Sequence, residues 1–142
     1  MIPIHIANRQ KTLLIDRRRI RRTVENILRD AGVAETQISV AIVDDQTIAR
    51  LHGQFLNDPT PTDVLSFVLE RSESVLEGEV VVSAETASRC APGYGLAAED
   101  ELLLYVIHGA LHLAGCDDQT PDQRAVMRKM ERKYLQNDQQ DT

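Results

Sequence analysis

The chain has 142 residues, a length that fits one compact domain with its own hydrophobic core. Hydrophobic residues make up 42% and charged residues 27% of the sequence, which excludes a disordered or fibrous protein. Two cysteines are too few for a disulfide scaffold. The sequence shows neither a signal peptide nor an apolar run of about 20 residues, so we expect a cytoplasmic protein without membrane contact.

The formal net charge of −6 is distributed unevenly along the chain. Residues 1–29 carry a charge of +6 and residues 30–142 a charge of −12. Bulk acidity is not typical of a protein that coats nucleic acid non-specifically, but the basic N-terminal region can present a local patch to a polyanion. The composition therefore leaves open a protein that acts on RNA at a defined place.

The hydrophobic pattern predicts a single α+β domain, without repeats or a break that would mark a second domain. Strands alternate with helices early and helices dominate late, so we expect a mixed four-stranded sheet with helices packed against it. The predicted strands are Ile2–Ile6 at an edge, Ile38–Val43, Val64–Leu69 and Glu79–Ser83. The predicted helices cover residues 17–30, 46–56, 84–91, 97–114 and 121–135.

Helix caps, glycines and prolines define the ends of these elements. Asp16 can cap the first helix, and Gly32 lies beyond its end. The segment 57–61, Asn-Asp-Pro-Thr-Pro, predicts a rigid turn because proline fixes φ. Gly78 is predicted to lie between the third and fourth strands, and Gly115 to end the long helix 97–114.

Two histidines four residues apart lie in this long helix, on which we expect a metal site. Residues at this spacing are one turn apart on the same face, so His108 and His112 can bind one ion. Gly115 allows a positive φ that turns the chain back, and Asp118 can then become a third ligand. Two nitrogens and one carboxylate oxygen suit Zn²⁺ and leave a position open for a water that the ion would activate.

A histidine pair at this spacing is more often a solvated or hydrogen-bonded pair than a metal site. Here the pair follows the apolar run 102–107, where two imidazoles without partners would be costly. This context favours the metal site. Cys116 could replace Asp118 as a soft ligand, although a small core residue is the commoner role for a single cysteine.

The residue that follows His108 argues against one class of zinc enzyme. Peptidases of the H-E-x-x-H type carry their general-base glutamate there, whereas this chain has Gly109. Peptidase chemistry is therefore disfavoured. Activation of water would depend on the metal, on another carboxylate such as Asp117, which is the candidate catalytic residue, or on the substrate.

Three segments of the chain resemble the YbeY family of endoribonucleases, which are rRNA maturation factors. Residues 108–118 read HGALHLAGCDD, and the family signature is H-G-x-L-H-L-x-G-Y-D-H. A second family block, P-T-D-V-L-S-F, is intact at 61–67, and the strand at 78–83 is similar to a third. Met127 and Glu131 fall where the family's last helix often carries these residue types.

The resemblance implies one metal-dependent ribonuclease domain over residues 1–142. It implies one zinc ion, or another divalent transition metal, on His108, His112 and Asp118. It also implies cleavage of single-stranded RNA, maturation of the 3′ end of small-subunit (16S) rRNA, and a role in ribosome quality control. The expected partners are precursor rRNA, the small ribosomal subunit, and ribosomal proteins or a ribosome-assembly GTPase.

Two positions depart from the family pattern. Asp118 stands in place of a third histidine, and its negative charge would weaken the Lewis acidity of the ion. The pair Phe55-Leu56 stands where the family usually has an arginine that could bind phosphate. The alternative function is therefore a ribosome-associated RNA-binding module with a structural metal site and reduced or no catalysis.

The segment 17–22 offers the best replacement for the missing arginine. Arg17, Arg18, Arg21 and Arg22 lie along one broad helical face. Positive charge in a first helical turn is unfavourable by about 0.3–1 kcal/mol per group at most, so its accumulation there indicates either a polyanionic partner or a merely solvated face. Aromatic residues make up 4% of the chain, which gives little support to sequence-specific reading of RNA.

Overall fold

The computed structural model describes residues 3–33, 35–58, 60, 62–72 and 75–140. These residues form a four-stranded sheet, five α-helices and a short 3₁₀ turn at Ala91–Tyr94. The strands are β1 (Ile4–Asn8), β2 (Glu35–Val43), β3 (Val64–Arg71) and β4 (Val75–Ser83). The helices are α1 (Arg17–Asp30), α2 (Asp45–Leu56), α3 (Ala84–Cys90), α4 (Ala98–Leu113) and α5 (Pro121–Gln140). The predicted α+β fold with a mixed four-stranded sheet is confirmed.

The sheet has the strand order β1-β2-β4-β3, with β1 and β3 at its edges. β2 pairs in parallel with both β1 and β4, whereas β3 pairs antiparallel with β4. Val80 and Val82 of β4 belong to the main core with α1 and α4, while Val81 packs with Ile48 of α2 on the opposite face. Both faces of the central strands are thus covered, which explains their nearly continuous apolar sequence.

Two glycines allow the second half of α4 to lie close against the sheet. A Cβ atom added at Gly109 would lie 2.6 Å from Cγ1 of Val80, and one added at Gly78 would lie 2.8 Å from Cδ2 of Leu113. Side chains cannot approach so closely, so both positions need glycine unless their neighbours move. The prediction that Gly78 separates β3 from β4 is wrong, because Gly78 lies within β4. Its missing side chain allows α4 to pack closely against the strand.

Tertiary contacts extend several elements beyond their predicted ends. β1 continues to Asn8, which pairs with Ile42 of β2, whereas Ile2 of the predicted strand lies outside the described residues. α5 continues to Gln140, five residues past the predicted end, because Asp138 near its end is buried against α1. Pro59 and Pro61 of the predicted turn also lie outside the described residues, and Asn57 ends α2 with a φ of 58°.

The remaining helix ends agree with their sequence signals. The Asp16 side chain accepts a hydrogen bond from the backbone N–H of Arg19 and caps α1. Gly32 and Gly115 have φ angles of 74° and 108°, as expected after helix ends. Within the described residues, we find no helix with both the length and the apolar character that a bilayer crossing requires.

Candidate metal centre

α4 presents His108 and His112 on one face, one turn apart. The two rings are in edge contact, with centroids 4.6 Å apart, and their Nε2 atoms lie 3.1 Å from each other. Each side chain is 27% exposed. The predicted geometry of two imidazoles facing one point is therefore present, and that point is open to solvent on one side.

The turn after α4 brings a carboxylate to the same point. Gly115 reverses the chain, and Oδ2 of Asp118 lies 3.5 Å from Nε2 of His108 and 3.3 Å from Nε2 of His112. Arg71 at the end of β3 holds this end of the helix by donating to the backbone carbonyl of Leu113. The structure thus brings together the three side chains that the sequence singled out.

The spacing of the three donor atoms fits a small tetrahedral cation. Zinc bonds of about 2.0–2.1 Å at tetrahedral angles place two ligand atoms about 3.3 Å apart. The observed separations are 3.1, 3.3 and 3.5 Å, which bracket this value. Zinc and other divalent transition metals accept two imidazole nitrogens and one carboxylate oxygen, so the residues present fit the expected group.

Glu131 of α5 contacts this centre from the other side of the His108 ring. Its Oε1 atom lies 3.3 Å from Nδ1 of His108, and its side chain is 19% exposed. The hydrogen bond to Glu131 raises the pKa of His108 and outweighs burial, which lowers it. A proton held on Nδ1 leaves Nε2 free to coordinate, which is how carboxylates commonly orient metal-binding histidines.

Sequence reasoning did not assign Glu131 to the site. The residue is 23 positions away from His108, on a different helix, and no spacing rule connects the two. The available signal was indirect: a metal-binding imidazole needs a partner for its second ring nitrogen.

The structure gives the other two candidate residues, Asp117 and Cys116, surroundings different from those of the three donor side chains. Asp117 is exposed, and its side chain accepts a hydrogen bond from the backbone N–H of Asp118 at 2.8 Å, so it faces its own loop. Its catalytic role stays a prediction. Cys116 packs against Met130 with a sulfur–sulfur distance of 3.9 Å, and burial raises the pKa of its thiol. The core role is therefore the one that the structure supports for Cys116.

Two cavities share His108 as a lining residue. The larger, of about 690 Å³, lies between α3, α4 and α5. Its charged lining residues are Asp63, Arg89, Glu101, His108, Arg128, Glu131 and Arg132. The smaller, of about 370 Å³, lies between α4, β3 and the end of α2, and Leu56 lines it together with His108 and His112. Leu56 therefore lies close to the candidate metal centre.

The arginines of α1 lie apart from this centre. Arg22 forms an ion pair with Asp138 at 3.1 Å, and Arg17 donates to the backbone carbonyl of Ile6 at 2.5 Å. Arg19 pairs with Asp100 of α4, eight residues and about 12 Å along the helix axis before His108. RNA binding by Arg17, Arg18, Arg21 and Arg22 stays a prediction, and the first and last of these already have intramolecular partners.

A family model described as endoribonuclease YbeY matches residues 5–139 of the chain. The chain belongs to the endoribonuclease YbeY family. This confirms the resemblance to that family.

Relatives of this YbeY family chain differ in length. An endoribonuclease YbeY of Rhodopirellula baltica is 46% identical over 102 residues, which cover 70% of this chain and 53% of that protein. The match thus spans about half the length of that relative. An endoribonuclease YbeY of Syntrophus aciditrophicus is 38% identical over 140 residues, covering 93% of this chain and 87% of that protein. The solution structure of TM1509 from Thermotoga maritima superposes with a TM-score of 0.67 at 28% identity, covering 95% of this chain and 88% of that one.

Proposed function

We propose that this protein is a metal-dependent endoribonuclease that cleaves single-stranded RNA. The observation that carries the proposal is the convergence of His108, His112 and Asp118, whose donor atoms lie within 4.8 Å of one another, in a chain of the endoribonuclease YbeY family. His108 lines both cavities, and His112 lines the smaller one. A strand that occupied either cavity would therefore lie beside at least one of the histidines.

Each residue of the centre has a distinct role in this proposal. His108 and His112 would bind one ion, expected to be Zn²⁺, through their Nε2 atoms. Asp118 would bind the same ion through a carboxylate oxygen. When bound, the ion supplies polarisation of a phosphate group and acidification of water. Glu131 fixes the His108 ring through Nδ1. Asp117 is the candidate general base, and it would have to turn away from the N–H of Asp118 to act.

Peptidase activity finds no support in the surroundings of Gly109. The glutamate that such enzymes carry at this position would start from a Cβ atom 2.6 Å from Val80. The helix would have to lift off the sheet to accommodate it. Hydrolysis of a phosphodiester needs no base at this position. The site therefore suits a nuclease better than a peptidase.

The proposal is tested with purified protein loaded with one equivalent of Zn²⁺, on single-stranded RNA and on a duplex of the same sequence. We expect cleavage of the single strand. Asp118→Ala should lose bound metal, measured by elemental mass spectrometry, and cleavage with it. Asp122→Ala, a change of the same type at an exposed position of α5, should keep both. Full metal occupancy in Asp118→Ala would remove Asp118 from the centre, and intact RNA with the loaded protein would contradict the activity.

We further propose that the RNA is the precursor of small-subunit (16S) rRNA, cleaved near its 3′ end in the cytoplasm, and that the protein takes part in ribosome quality control. The small ribosomal subunit is then a partner, with ribosomal proteins or a ribosome-assembly GTPase as further candidates. Family membership supports this assignment. Cells depleted of the protein should accumulate 3′-extended precursors, measured by sequencing of rRNA ends. Normal mature ends after depletion would contradict it.

Leu56 favours a second function, a ribosome-associated RNA-binding module with a structural metal site and reduced or no catalysis. Its side chain is 58% exposed and lines the smaller cavity with both histidines. It offers no charge to a phosphate at a position where a guanidinium could reach one. Activity that appears only in Leu56→Arg would support the module, whereas equal activity in both proteins would favour the enzyme.

A further inference from the structure

α5 carries three arginines at four-residue spacing, which places them on one face of the helix. They are Arg124, Arg128 and Arg132. Arg124 donates to the backbone carbonyls of Asp118 and Gln119 at 3.3 and 3.2 Å, so this end of the row adjoins the candidate metal centre. Arg128 and Arg132 follow along the helix and line the larger cavity beside His108.

Among the described residues, neither Arg128 nor Arg132 forms an ion pair within 4 Å, although the carboxylates of Asp63, Glu101 and Glu131 line the same cavity. On α5, the carboxylate within one turn of both is Glu131, and it faces Nδ1 of His108 instead. Like charges one turn apart on a helix destabilise it, so the pair costs stability unless an anion binds. Arg89 on the opposite wall differs, because it pairs with Asp45 at 2.8 Å.

The two cavities differ in the charged side chains that line them. The smaller cavity is lined by the two histidines, a serine and apolar side chains, among them Leu56 and Val68. The larger cavity holds the two arginines of α5 next to the same His108, together with three carboxylates. Two of these carboxylates already have partners, since Glu131 faces His108 and Glu101 accepts a hydrogen bond from Tyr105. A polyanion that lies against the centre thus meets fixed positive charge on one side of it only.

We infer that Arg128 and Arg132 bind two backbone phosphates of the RNA strand on the larger-cavity side of the centre. The inference rests on the proposed function, since the ligand is the strand that the centre would cleave. A guanidinium binds phosphate in a bidentate manner and keeps its charge at every relevant pH. The pair therefore supplies the cation that Leu56 cannot, from α5 instead of the end of α2.

The test measures binding without cleavage. Chelator-treated, metal-free protein is titrated against a fluorescently labelled single-stranded RNA at several salt concentrations, and anisotropy gives the affinity. On a single strand each contacted phosphate contributes about −0.7 to the slope of log Kobs against log salt concentration. Arg128→Gln with Arg132→Gln should therefore flatten the slope by about 1.4 and weaken binding about 25-fold at 0.1 M salt.

The matched control is Lys129→Gln with Lys133→Gln, which makes the same charge change at the same spacing on α5, at exposed positions that line neither cavity. It should keep the wild-type slope and affinity. Arg128→Lys with Arg132→Lys should keep the slope because the charge is retained. Circular dichroism and thermal unfolding confirm that each variant is folded.

Equal effects of the lysine pair and the arginine pair would overturn the inference, because the loss would then reflect net charge instead of a site. A wild-type slope in the variant with Arg128→Gln and Arg132→Gln, or no RNA binding by the wild-type protein, would also overturn it. Cleavage by the metal-loaded wild type separates the two proposals. If the double glutamine variant binds more weakly as expected but the metal-loaded wild type cleaves no RNA, the inference stands and the proposed endoribonuclease activity is contradicted. Cleavage by the wild type, with unchanged binding in the variant with Arg128→Gln and Arg132→Gln, would contradict the inference and support the endoribonuclease.

Discussion

Removing the charge of Glu131 should weaken metal binding although Glu131 is not itself a ligand. Substitutions in the outer shell of metal sites cost roughly 10–100-fold in affinity. The 3.3 Å distance to Nδ1 of His108 exceeds the roughly 2.7–2.9 Å of strong charge-assisted bonds. Glu131 also keeps some contact with solvent. We therefore expect the lower end of the range for Glu131→Gln, about tenfold or about 1.4 kcal/mol.

The assay is a competition for Zn²⁺ between metal-free protein and a chromophoric chelator at a pH near 7.5. Asp117→Asn is the matched control, since it removes the same charge from a carboxylate that lies next to the centre in sequence but faces its own loop. We expect its affinity to stay within about twofold of wild type.

Equal affinities of Glu131→Gln and wild type would refute this reasoning. The orientation of the His108 ring would then be set by its packing within α4 and not by the carboxylate. A similar loss in Asp117→Asn and Glu131→Gln would also refute it, since the effect would then follow general charge near the centre.

Three further predictions concern stability. Gly109→Ala should lose about 1–3 kcal/mol in denaturant unfolding, because its Cβ would meet Val80, whereas Gly93→Ala, with no atom within 4 Å, should stay within about 0.5 kcal/mol. Burial raises the pKa of Glu101, so the folded state holds this proton more tightly than the unfolded chain, and the stability that it contributes is lost as pH rises above the ordinary value of 4.5. Glu101→Gln should therefore gain stability over wild type as pH increases, and a constant difference in melting temperature across pH would contradict this. Asp138→Asn should cost about 2–3 kcal/mol in the same unfolding assay, less than a fully buried pair, because its arginine partners are partly exposed; a loss below about 0.5 kcal/mol would show that the pairs contribute little.

The arrangement of the candidate centre could be predicted because its three donor side chains lie within eleven consecutive residues. Helical geometry relates His108 to His112, and a glycine turn relates both to Asp118. Each step uses a local rule that holds whatever surrounds the helix. The same reasoning could not reach Glu131, which meets His108 only after α5 has packed against α4.

The errors in the fold have the same physical origin. Sequence alone predicts a break at Gly78, since glycine weakens a strand when only its chain neighbours are considered. In the folded chain it relieves a clash with Leu113 of α4, a contact between residues 35 positions apart. α5 continues past the predicted residue 135 because ion pairs join Asp138 to Arg19 and Arg22 of α1, a contact that the local sequence does not reveal.

Charge links the two departures from the family pattern with the arginines of α5. Asp118 in place of a histidine lowers the charge of the centre by one unit, and Leu56 in place of an arginine removes another from its edge. An incoming phosphate would meet a centre less attractive by two units. Arg128 and Arg132 bring two positive charges to the cavity beside His108. These two charges can restore attraction for the RNA strand. They cannot restore polarisation of the scissile phosphate, because that depends on charge in direct contact with the phosphate. A protein of this composition should therefore bind RNA well and cleave it slowly, and Leu56→Arg should raise the cleavage rate more than the affinity.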